Sequence, residues 1–140
     1  MIMKKTFLFI LSCITFFNTS CSLNDDGDKF HFVPLQIIDA EFPESFTLNE
    51  TYQITITYII PNNCVDFEGF DVSKLDTTSR NIVAIGSELD NEVCNLIALE
   101  AENSFDFTCL YESTYYFRLW TGEDENGEQQ YIEFEVPVIP

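Results

Sequence analysis

The chain has 140 residues, with 24 acidic side chains against 6 basic ones and a net charge of −18, yet 46% of it is hydrophobic and 15% aromatic. That charge excludes nucleic acid and anionic lipid as ligands, because phosphate contacts need Lys and Arg. The wealth of patterned apolar residues excludes the disorder that acidity alone would suggest, so the acids belong on a solvated surface around one real core.

The N-terminus opens with Lys4 and Lys5, followed by an uncharged run from Thr6 to Phe17. A short positive region and then an apolar stretch is the pattern of a secretory signal peptide, and this one is too short for a spanning helix of about 20 residues. Small residues, Thr19 and Ser20, stand directly before Cys21. The arrangement resembles the lipobox of bacterial lipoproteins, in which the cysteine becomes the first mature residue and carries acyl chains. Asn18 departs from the aliphatic residue that family prefers. Cys13, in "ILSC", is a rival, but it would leave an apolar region of only about seven residues. The stretch "SLNDDGDK" behind Cys21 resembles the export signal of surface-exposed Bacteroidota-type lipoproteins. The resemblance implies a signal peptide over residues 1–20, a lipidated acidic tether over 21–29 and an outward-facing outer-membrane lipoprotein. Without Lys4 and Lys5 the mature chain sets 4 basic residues against 24 acidic ones, a charge of −20.

From about residue 30 to 140 the chain alternates apolar and polar residues, with turn signals roughly every ten residues and no helical period. That pattern predicts an all-β sandwich or barrel. "LQIIDAEF" predicts an opening strand with Ile38, Ala40 and Phe42 on one face. "YQITITY" predicts a second, with Tyr52, Ile54, Ile56 and Tyr58 together, ending before Pro61, which cannot donate to a ladder. "FEGFDV" and "RNIVAIGS" predict two more strands, the first with a bulge at Gly69. "LIALEAENSFDFTC" predicts one long strand or two short ones. The final hairpin centres on Asn126-Gly127, a pair suited to a two-residue type I′ turn. That turn would place Leu119 opposite Phe134, Phe117 opposite Val136, Arg118 opposite Glu135 and Trp120 opposite Glu133, with apolar residues on one face and charges on the other.

"STYYF" resembles the tyrosine corner of immunoglobulin-like sandwiches, with Tyr115 two residues before Phe117, where antibody domains carry cysteine. The resemblance implies an immunoglobulin-like antiparallel sandwich of about seven strands without that family's inter-sheet disulfide. If successive strands alternate direction, Cys64 and Cys94 lie at one end of the sandwich and Cys109 at the other. The expected disulfide is therefore Cys64–Cys94, in an oxidising compartment, with Cys109 free and buried.

Three places could carry function. The loop "GEDENGEQQYIE" partly matches a calcium loop through Asp124, Asn126, Gly127 and Glu133, but Gly122 stands where a carboxylate is required. A hairpin turn with solvated acids is expected there, with Asp124, Asn126 and Glu128 as weak calcium candidates. The outward face of the last hairpin carries Tyr116, Arg118, Trp120 and Tyr131 beside Glu133 and Glu135; aromatics next to arginine suit recognition of a protein or a sugar ring. "CVDFEGFD" interleaves Phe67 and Phe70 with Asp66, Glu68 and Asp71, and an ordinary bulged strand is the expectation. No G-x-S-x-G, phosphate loop or paired histidine exists, and His31, the single imidazole, sits beside the tether. The chain thus reads as a non-enzyme without cofactor. It would be an envelope binding or adhesion module held to the membrane at Cys21, with an envelope protein, a host protein or a glycan as partner. The alternatives are an accessory subunit of an envelope complex and a protease-inhibitor-like module.

Overall fold

In the computed structural model, which describes residues 29–90 and 93–140, the alternating segments form ten strands: β1 (Phe30–Leu35), β2 (Ile37–Glu41), β3 (Phe46–Thr47), β4 (Thr51–Ile60), β5 (Val65–Lys74), β6 (Ser79–Leu89), β7 (Leu99–Thr108), β8 (Tyr115–Glu123), β9 (Gln129–Val136) and β10 (Val138–Ile139). They form a five-stranded sheet of β1, β5, β6, β8 and β9, a three-stranded sheet in the order β2-β4-β7, and a two-stranded pair of β10 with β3. β5 runs along β6 from Arg80 to Glu88; β8 pairs with residues Ser79 to Ile82 of β6 and β1 with Ala84 to Leu89. A strand has only two edges, so β8 and β1 lie end to end along the edge of β6 that β5 leaves open.

The sandwich expected from the alternation is present. The segments it marked are β2 and β4 to β9, and the long "LIALEAENSFDFTC" segment forms a single strand, β7. The additional strands β1, β3 and β10 are short or lie at the margin of a sheet. Two pairings, β6 with β8 and β3 with β10, are parallel. The first follows from strict alternation, because β6 and β8 are separated in sequence by one strand that crosses to the other sheet.

Ile54, Ile56 and Tyr58 of β4 face Ile82 and Ala84 of β6 and Tyr115, Phe117 and Leu119 of β8, and all are at most 1% exposed. Burying each such side chain contributes roughly 1.5–3 kcal/mol, which makes this inner layer the main source of stability. Phe46 joins the layer through rings at 4.9 Å from Tyr52, 5.3 Å from Phe107 and 5.7 Å from Tyr115. The phenol of Tyr58 has its pKa raised by burial and donates to the side-chain oxygen of Asn103.

Bulges account for two differences from simple alternation. In β2 the register shifts between Ile37 and Asp39. The extra residue turns Ile37 inward with Ala40 and leaves Ile38 39% exposed, so Ile38 does not share the face of Ala40 as expected. In β5 the expected bulge occurs between Phe67 and Gly69. It lets Phe67 and Phe70 point the same way although three residues apart. Phe67 stacks on Tyr58 at 4.7 Å and Phe70 lies 5.6 Å from Phe105.

The last hairpin corrects the expected register. Asn126 does not take positive φ; only Gly127 does, at 78°. Gly127 N–H donates to Asp124 O, and Asp124 N–H to Glu128 O. This is a type I turn closed by a left-handed glycine, one residue longer than the type I′ loop. A second offset follows between Trp120 and Gly122. Phe117 therefore faces Phe134, Arg118 faces Glu133, Leu119 faces Ile132 and Trp120 faces Tyr131. Two one-residue offsets move the register of Tyr115–Trp120 against Tyr131–Val136 by two, which preserves the face of those side chains.

Cys64 and Cys94 form the expected disulfide, with sulfurs 2.06 Å apart. It joins the start of β5 to the segment before β7. Cys109 is free and buried, at the opposite end, where its backbone pairs with Asn49 and Glu50.

Candidate functional site

Because Tyr115, Phe117 and Leu119 point into the core, Tyr116, Arg118 and Trp120 must point out of the five-stranded sheet. Tyr116 is 50% exposed, whereas Arg118 and Trp120 are half-buried by their neighbours. The guanidinium carbon of Arg118 lies 3.8 Å from the ring centre of Tyr131, which is close cation–π stacking. Its Nε donates to Asn81 Oδ1 at 3.1 Å, and Glu133 stands at the paired position on β9. Its Nη groups make no hydrogen bond among the described residues, so they remain available to an incoming acceptor. Trp120 lies beside Tyr131 through the corrected register, and its indole N–H donates to the side-chain oxygen of Gln129. Gln129 in turn donates to Glu123 Oε1 at 2.6 Å.

Two depressions flank this strip. One, of about 400 Å³, is lined by Leu75, Arg80, Tyr116, Arg118, Glu133 and Glu135 among others. The other, of about 220 Å³, lies between Trp120, Tyr131, Pro34, Val83, Glu123 and Gln129. The larger is within the size range of small-molecule sites. Arg80 serves the scaffold as well. Its guanidinium donates to the carbonyls of Asp76, Thr77 and Ser79 and lies 5.6 Å from the ring centre of Tyr115. The face thus combines flat rings, one cation with unused donors, and carboxylates and amides that accept. Such a set can stack on a sugar ring or a planar side chain and hydrogen-bond its hydroxyls.

The four residues expected to recognise a ligand, Tyr116, Arg118, Trp120 and Tyr131, are brought together. Asn81, Pro34, Val83 and Gln129 complete the face and were not expected. Asn81 and Val83 could have been assigned to it from the alternation of "RNIVAIGS"; Pro34 could not, because β1 carried no signal of its own.

The other candidates fare differently. Residues 122–133 form a hairpin, with Glu133 inside β9. Asp124 Oδ1 accepts the N–H groups of Asn126 at 2.8 Å and Glu128 at 2.9 Å, and Oδ2 accepts Gln130 Nε2 at 3.2 Å. That carboxylate organises the turn, while Asn126 and Glu128 are exposed around it. Among the described residues no group of three His, Cys, Asp or Glu side chains is arranged to hold a metal ion. In "CVDFEGFD" the rings face the core, and Glu68 accepts a hydrogen bond from Ser87 Oγ at 2.6 Å, so the segment is the bulged strand expected. His31 contacts Asp90 Oδ1 at 2.8 Å and Glu88 Oε2 at 3.6 Å. Cys21, the expected lipidation site, lies outside the described residues. No protein family, no curated protein and no solved structure matches this chain.

Proposed function

We propose that this chain is a lipid-anchored cell-surface protein whose domain, an immunoglobulin-like sandwich, is a non-catalytic binding module for a glycan or a protein surface. The observation that carries the reading is Arg118 stacked on Tyr131 beside Trp120, on the outer face of a sheet otherwise surrounded by acids. Aromatics and arginine are the residues that most often dominate recognition energy. The surrounding carboxylates and amides suit a hydroxyl-rich or basic ligand and repel an anionic one. The immunoglobulin-like assignment draws on the Tyr115 hydroxyl, which accepts the N–H groups of Leu110 at 3.1 Å and Tyr111 at 3.2 Å, as a tyrosine corner does. The parallel β6–β8 pair departs from the antiparallel sheets of that family. Anchoring draws on Cys21 and the signal-like segment before it.

The test is capture from envelope and host extracts and from a glycan array, with wild type and an Arg118→Ala, Trp120→Ala double variant, in calcium and in chelator. Loss of two anchors should weaken binding by at least about 30-fold, from more than about 1 kcal/mol each. Equal capture by the double variant would remove the hairpin face from the proposal. Capture that needs calcium would point to Asp124 instead.

A further inference from the structure

Residues 93–98, which lead into β7 at one end of the sandwich, expose apolar side chains. Val93 is 99% exposed, Leu96 82%, Ile97 61% and Leu99, at the start of β7, 59%. Isolated exposed leucines need no explanation, but a contiguous group marks an interaction site. This loop is also held in place. Cys94 is bonded to Cys64, Asn95 N–H donates to Asn63 Oδ1 at 2.6 Å, and Asn63 N–H donates back to Asn95 O at 3.4 Å. The backbone is clamped while the apolar side chains project. Phe30 and Phe32, 53% and 65% exposed, lie at the same end, where Phe30 pairs with Leu89. Among the described residues, seven of the thirteen exposed large apolar ones lie at this end: these six and Leu89.

The chain also meets its N-terminal segment at this end. Lys29 O accepts the N–H of Asp90 at 2.7 Å. Eight residue steps separate Lys29 from Cys21, a reach of under about 30 Å even when fully extended. We propose that this apolar end rests in the surface of the bilayer to which the chain is anchored, with Leu96 and Ile97 as the inserted tips of a second, non-covalent membrane contact. The inference builds on the reading of Cys21 as the anchor. A tether that short raises the effective concentration of the loop at the bilayer to the millimolar range, so even weak intrinsic partitioning becomes substantial. It would supply a second attachment signal beside acylation. Glu88 and Asp90 beside the loop favour a zwitterionic surface over an anionic one.

The experiment uses the mature chain with Cys21→Ser, which cannot be acylated, floated with phosphatidylcholine vesicles at millimolar lipid. Flotation is expected, weaker when phosphatidylglycerol is added. A Leu96→Ser, Ile97→Ser pair should lower the partition coefficient by about 20-fold, on half-burial of each side chain in the interface. Its thermal midpoint should stay unchanged, since both positions are exposed. No flotation, or equal flotation of the serine pair, would overturn the inference. So would a dimer in solution that the same serines dissociate, which would assign the loop to a second copy. The anchor is read separately, by incorporation of a labelled fatty acid at Cys21 in cells. Flotation without that label would remove the anchor and leave the loop contact; label without flotation would do the reverse.

Discussion

Replacing Tyr115 with Phe isolates one oxygen atom. The ring keeps its neighbours, Phe107 at 5.1 Å, Phe46 at 5.7 Å and Phe117 at 6.1 Å. What disappears is the acceptor of two backbone donors, Leu110 N–H and Tyr111 N–H. Tyr115 is fully buried, so water does not take the place of the oxygen. Each lost bond costs about 0.5–1.5 kcal/mol, or about 2 kcal/mol for the pair. A domain of this size has an unfolding entropy near 0.23 kcal/mol/K, so Tm should fall by about 9 °C. In urea the midpoint should drop with the slope unchanged, because no buried surface is lost. Tyr52→Phe is the internal comparison. Its hydroxyl accepts a single bond, from Thr47 N–H at 2.8 Å, at a half-buried site, and should cost about half as much. If Tyr115→Phe moved Tm by less than about 2 °C, the corner would not be holding the segment after β7 against the start of β8.

Three further outcomes follow from the packing. Gly86→Ala would set a methyl group 2.8 Å from Val65 Cγ1, 3.0 Å from Asp66 O and 3.2 Å from Leu35 Cδ1; overpacking of this kind costs about 1–3 kcal/mol, read from the urea midpoint, and an unchanged midpoint would mean that β1 and β5 yield freely around β6. Reducing Cys64–Cys94, which spans a separation of 30 residues, should lower stability by roughly 3–4 kcal/mol in the chain-entropy picture, and a titration with and without reductant measures it. Asp76 in the β5–β6 turn has its pKa lowered below the ordinary 3.8 by the hydroxyl of Ser79, then by the N–H groups of Thr78 and Ser79, with Arg80 adding a little. A depressed folded pKa means stability that is present above 3.8 and lost as pH falls through the lower folded value, so the gap between wild type and Asp76→Asn should close with acidification and stay open at neutral pH.

What the sequence shows most directly is whatever period two controls. Ile54, Ile56 and Tyr58 are buried as their alternation requires, and the same alternation sends Tyr116, Arg118 and Trp120 to one outer face. The disulfide was equally legible, because strand direction alone puts Cys64 and Cys94 at one end and Cys109 at the other. Ile38 misleads for a physical reason. A bulge shifts the phase by one residue, and Asp39 supports it by accepting its neighbour Ala40's N–H at 2.8 Å, a contact no pattern announces. β1 is hidden because its outward residues, Phe30, Phe32 and Pro34, are apolar, so the polar half of the alternation is missing.

The last hairpin shows why the candidate face was found although its register was misjudged. A two-residue Asn-Gly loop and the observed longer loop differ by one residue, and that slip alone would place Arg118 opposite Phe134. The offset after Trp120 supplies the compensating residue. Burial drives the compensation: with Phe117, Leu119 and Val136 at 1% exposure or less, a hairpin slipped by one would send one strand's apolar row to solvent. The core therefore tolerates a register two residues away and forbids one residue away. Within that freedom the cross-strand partners change. Trp120 meets Tyr131 instead of Glu133, and Glu133 meets Arg118. The side chains that form the candidate face are thus set by alternation, while their contacts, the Arg118–Tyr131 stack among them, are set by two local irregularities that the buried face obliges to cancel.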